Sequence, residues 1–122
     1  MKPFVWISLL HAVVVSIAEI ARNQGGWQWW PFWTIDFVAA ALLFAGGLAL
    51  ARRRTLPGAL VLTAGWGFST AMNWMSFASQ LEANLRDDAS VEPIAYAAGY
   101  GVFRSAICLV LSVILLRPPQ SD

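Results

Sequence analysis

Four apolar stretches, each about 20 residues long and running from about Phe4 to Ala21, Trp33 to Ala51, Pro57 to Phe77 and Pro93 to Leu116, leave this chain few ways to fold. An α-helix rises about 1.5 Å per residue, so about 20 residues cross the ~30 Å of bilayer hydrocarbon. In lipid every backbone N–H and C=O must be satisfied within the spanning structure, which leaves helices or a closed barrel. Runs such as Phe37 to Ala51 lack the period-two alternation of a barrel strand. The expectation is an all-α protein: an integral membrane four-helix bundle forming a single membrane domain over residues 1–122.

Composition agrees, with 58% hydrophobic residues, 12% charged residues and a mean hydropathy of +0.60. A soluble domain carries roughly 25% charged residues. A net charge of +1 with scattered basic residues gives no phosphate-tracking stripe and argues against nucleic acid as a partner. Cys108 is alone, so no disulfide can form within the chain. Lys2 followed by an apolar stretch with Ser16 and Ala18 has the outline of a secretory signal, but the run continues to Ala21 and reads as an uncleaved transmembrane helix.

Lysine and arginine set the expected orientation. Lys2, the Arg52, Arg53 and Arg54 run, and Arg117 fall on one side; the other connections hold only Arg22 and Arg86, the latter among Glu82, Asp87, Asp88 and Glu92. Positive residues stay cytoplasmic, so both termini and the arginine turn are expected inside a cell (inner) membrane, with the Asn23 to Pro31 and Leu81 to Glu92 loops outside. The first of those loops is crowded with Trp27, Trp29 and Trp30, which suit an aromatic anchor at the membrane boundary. The second is acidic and reads as solvated charge. Ser16, Ala18 and Asn23 faintly echo Ser76, Ala78 and Asn84, as an old duplication of a helical hairpin would leave them.

Small residues point to helix packing. Ala41, Ala45 and Ala49 recur at four-residue spacing in the second helix, with Gly47 and Ala51, and Ala97, Gly101 and Ser105 do so in the fourth. Such stripes let backbones approach closely in lipid. Ser69, Asn73, Ser76 and Gln80 draw a polar face along the third helix that should turn toward the other helices or a wet cavity. Met72 and Met75, three apart in a tryptophan-rich segment, read as packing rather than copper ligands.

Depth then groups the ionisable residues. Glu19 and Asp36 lie about one turn below the outer ends of their helices, Asn73 in the outer half of the third, and Arg104 near the middle of the fourth. An intramembrane arginine without an acidic partner costs at least ~2.5 kcal/mol, and its long stem can snorkel outward, so Arg104 is expected to pair with Asp36 or Glu19. Glu19 and Arg22, three apart, can pair with each other. His11 lies deeper. The set Glu19, Asp36, Asn73, Arg104 and His11 is readable as an outward pocket for a small ligand, as a proton relay, or as a structural ion-pair network.

No phosphate-binding glycine loop, no H-E-x-x-H and no serine with a complete set of catalytic partners is present, and one histidine with one cysteine makes no zinc quartet or paired haem ligands. The reading therefore leans away from an enzyme and carries no cofactor or metal. It favours a small non-catalytic multi-pass membrane protein that binds a small ligand or a membrane partner through the outer polar cluster. The alternative is a proton-coupled small-molecule transporter acting as a homodimer. Expected partners are the lipid bilayer and a second copy or a larger membrane complex.

Ala18, Glu19 and Ile20, with Arg22 close behind, resemble the membrane-embedded glutamate region of the small multidrug resistance exporters, which are four-helix proteins of about this size. Gly65, Trp66 and Gly67 are loosely similar to that family's tryptophan and glycine segment in helix three. The resemblance implies a proton-binding role for Glu19. Arg104, the acidic third loop and the strong charge bias depart from the family's pattern, so that role is not carried over.

Overall fold

The computed structural model describes residues 2–23, 30–53, 55–86 and 94–114, and these form an all-helical fold with no strand among them. Its helices are α1 (Lys2–Asn23), α2 (Trp30–Arg52), α3 (Leu56–Leu85) and α4 (Ile94–Ile114). Each packs against its neighbour in sequence: α1 on α2, α2 on α3, α3 on α4. The segments Lys2–Ala21 and Trp33–Arg52 are long and apolar enough to cross a bilayer, and Gly99–Ile114 is a shorter apolar helix. The tryptophan-rich residues 24–29, the acidic residues Asp87, Asp88 and Glu92, Arg54 and Arg117 lie outside the described residues.

The α2 to α3 turn is tight because its ends are capped. Arg53 N–H donates to the Ala49 carbonyl at 2.9 Å, closing α2, and the Thr55 hydroxyl accepts from Gly58 N–H at 3.2 Å, opening α3 with Pro57 in its first turn. From there α3 runs 30 residues, about 45 Å, whereas α2 has 23 residues, about 35 Å. Since the two start side by side, the surplus projects at the far end. The expected third loop, beginning at Leu81, is thus helix as far as Leu85. Gln80, Leu81, Glu82 and Ala83 are good helix formers, and Glu82 pairs with Arg86 one turn on.

Glycine sets the α2–α3 approach. A Cβ on Gly46 would fall 2.5 Å from the Leu62 backbone nitrogen, and one on Gly65 would fall 2.8 Å from that of Leu43. Gly46 facing Leu62 while Gly65 faces Leu43 is an antiparallel register. Gly47 meets Leu9 and Val5 on α1, and Gly101 meets Asn73 on α4's side toward α3. The buried face of α2 is therefore Ala39, Ala40, Leu43, Gly46, Gly47 and Leu50, while Ala41 and Ala45 of the expected stripe are exposed. Small residues occupy so many positions of α2 that spacing alone does not choose the face; the close contacts made by Gly46 do.

Polar side chains on these helices are mostly satisfied locally. Ser16, Thr63, Thr70 and Ser105 donate to carbonyls one turn back, at 2.7–2.9 Å. In contrast, large apolar side chains stand exposed on every helix, among them Trp6, Leu10 and Ile17 on α1, Phe44 on α2, Trp74 and Met75 on α3, and Phe103 and Val110 on α4.

Candidate functional site

Between α1 and α3 the core is built around one indole. Phe4, Ser8 and His11 occupy one face of α1, and Trp66 inserts against all three. Its ring stacks on His11 at 4.8 Å between centroids with 6° between planes, and on Phe4 at 6.3 Å. Trp66 Nε1 donates to Ser8 Oγ at 3.0 Å, and that hydroxyl donates in turn to the Phe4 carbonyl at 2.9 Å. A buried indole needs a hydrogen-bond partner, and Ser8 supplies it. Trp66 and Ser8 are both fully buried.

The fourth helix joins this set through a cation. Arg104 Nη2 lies 2.9 Å from His11 Nδ1. Guanidinium is always charged and only donates, so Nδ1 must be the acceptor and the imidazole carries its proton on Nε2. That Nε2–H is buried without a hydrogen-bond partner among the described residues, as are Arg104 Nε–H and the Ser69 hydroxyl three residues after Trp66. His11 is 5% exposed and Ser69 2%. Cys108, one turn beyond Arg104, is also buried.

This arrangement corrects the expected pairing of Arg104. No carboxylate pairs with it among the described residues; its neighbour is His11. By the register that sets Gly101 against Asn73, Arg104 stands opposite Thr70, one turn beyond Trp66, and its guanidinium reaches back toward His11. Glu19 is eight residues past His11, about 12 Å along α1, and Asp36 is seven residues before Leu43, about 10 Å along α2. The side chain thus turns away from the end where the acids lie. Glu19 is buried there and Asp36 half-buried, while the side chain of Arg22 lies outside the described residues.

Asn73 serves packing. Its Nδ2 donates to the Ser69 carbonyl at 2.7 Å and its Oδ1 presses against Gly101, where a Cβ would clash. Of the polar face on α3, Ser69 points inward, Asn73 and Gln80 are half-buried and Ser76 is exposed. Among the described residues no three His, Cys, Asp or Glu side chains converge as a metal site would require. The five expected site residues therefore separate into His11 with Arg104 in the middle of the bundle, Glu19 and Asp36 toward one end, and Asn73 packed against Gly101. Trp66 and Ser8 join the first group. Ser8 and His11, three apart on α1, were a legible signal, since such spacing puts two polar groups on one face of an apolar helix.

Comparisons with protein-family models, with curated proteins and with solved structures found no match.

Proposed function

We propose that this is a small, non-catalytic, multi-pass protein of the cell (inner) membrane, with both termini cytoplasmic, that binds a small ligand or membrane partner through His11 and Arg104. Soluble monomers rarely expose contiguous apolar patches beyond a few hundred square ångströms, and the apolar side chains exposed on all four helices support lipid as the solvent. The arginines at 52–54 support the orientation.

The observation that carries the binding role is the pair of buried donors, His11 Nε2–H and Arg104 Nε–H, that lack an acceptor. Leaving a donor buried and unmade costs about 1–3 kcal/mol, more beside a charge. Groups kept at that cost call for an acceptor, and a ligand or partner would supply one. Replacing both with apolar groups of similar shape, His11→Phe with Arg104→Met, removes the penalty while a phenyl ring keeps the stack on Trp66. The double variant is expected to unfold in detergent with about 1–3 kcal/mol more stability than the native chain. A lower stability would make His11 and Arg104 part of the scaffold and end the binding reading.

A further inference from the structure

We infer that the ligand taken at His11 and Arg104 is a carboxylate carried on an apolar body, an inference that rests on the binding role proposed above. Four buried polar atoms lack a hydrogen-bond partner among the described residues, and of these Gln80 Oε1 lies on α3, eleven residues past Ser69, leaving His11 Nε2, Arg104 Nε and Ser69 Oγ. Arg104 Nε–H and His11 Nε2–H both donate, and the Ser69 hydroxyl can follow either way. A permanent guanidinium charge stands beside them with no carboxylate partner among the described residues. The complement of fixed donors beside a cation is an oxyanion, and guanidinium matches the two oxygens of a carboxylate in a fork.

The rim gives the rest of the ligand. α1 and α4 meet here through the Arg104 to His11 bond, and Arg104 itself is only half-buried. One turn to either side of His11 stand Ile7 and Val14, and one turn to either side of Arg104 stand Tyr100 and Ile107, all exposed. A polar head with this surround fits a molecule whose remainder is apolar. His11 lies nine residues, about 14 Å, from Lys2 and twelve residues, about 18 Å, from Asn23. That depth is near the middle of the helix, well inside the level of phospholipid phosphates, which favours a free amphiphilic carboxylate over a lipid headgroup.

The test uses the full chain in a nonionic detergent, with decanoate as probe and decanol and decyltrimethylammonium as controls of the same chain length. Decanoate is expected to raise the melting temperature saturably while the two controls do not. Arg104→Met is expected to weaken decanoate binding about tenfold or more, and Arg104→Lys to recover part of the loss, because charge without the fork remains. In phosphatidylcholine nanodiscs, decanoate should bind as in detergent, and doping with phosphatidylglycerol should leave its affinity unchanged. Competition by phosphatidylglycerol would overturn the free carboxylate in favour of a lipid phosphate. Equal shifts with decanol, or none with decanoate, would overturn the oxyanion itself, and the decanol comparison needs no variant to fold. A null decanoate result beside a stabilised His11→Phe with Arg104→Met variant would sink the ligand class alone; the failure of that variant to gain stability would sink the binding role beneath it.

Discussion

Replacing Gly46 with alanine probes the closest approach in the bundle. The new methyl would lie 2.5 Å from Leu62 N, 2.7 Å from its Cα and 2.9 Å from its Cβ, against ordinary contact at 3.4–4 Å. Two of those atoms are backbone, so no rotamer change relieves the clash and α2 must move from α3 by about 1 Å. A gap of that size forfeits a quarter to a half of each dispersion contact across it, and each contact contributes about 0.1–0.2 kcal/mol. Leu43 and Leu62 are completely buried at this interface. With about 50 contacts for each side chain, roughly half of them across the interface, the loss comes to about 1–5 kcal/mol. Gly67 supplies the control, because a Cβ there meets nothing within 4 Å, and Gly67→Ala should gain up to about 1 kcal/mol from helix propensity. Equilibrium unfolding in mixed micelles measures both. Gly65→Ala should resemble Gly46→Ala, and the double variant should cost less than the sum, since the helices separate only once. A Gly46→Ala variant within about 0.5 kcal/mol of the native chain, or a Gly67→Ala variant equally destabilised, would refute the glycine contact as the determinant of α2–α3 packing.

In a double-mutant cycle on unfolding free energy, His11→Phe and Arg104→Met should couple by at least about 0.5 kcal/mol, whereas Asp36→Asn and Arg104→Met should add within about 0.5 kcal/mol; the reverse pattern would restore the acidic partner for Arg104. Single cysteines at Thr55 and Leu85 sit at opposite ends of α3, so an impermeant thiol reagent added outside cells should label Leu85→Cys and spare Thr55→Cys, with buried Cys108 silent. Labelling at Thr55 alone would invert the orientation.

How far each feature was legible follows from the physics that encodes it. Hydropathy marks apolar stretches, and all four coincide with helices, but it is blind to a helix that continues past its apolar segment. Residues 81–85 of α3 are polar enough to read as loop and are held helical by their own propensity and the Glu82 to Arg86 pair. Depth arithmetic placed His11, Glu19, Asp36 and Arg104 along the helix axes but carries no rotation about them and no direction for a long side chain. Depth alone leaves Arg104 free to reach the acids; its bond to His11, whose ring is stacked on Trp66, turns it the other way. The polar function of Trp66 was hidden because an indole in an apolar helix has the same sequence signature whether it faces lipid or a serine.

The presence of a single histidine makes the central claim directly measurable. Nitrogen-15 NMR of histidine-labelled protein in bilayers at neutral pH reports His11 alone. A neutral ring protonated on Nε2, with Nδ1 accepting a hydrogen bond that disappears in Arg104→Met, is the predicted spectrum. A ring protonated on Nδ1, or on both nitrogens, would contradict the account, because neither form accepts from Arg104 or leaves His11 Nε2–H as the donor awaiting a ligand.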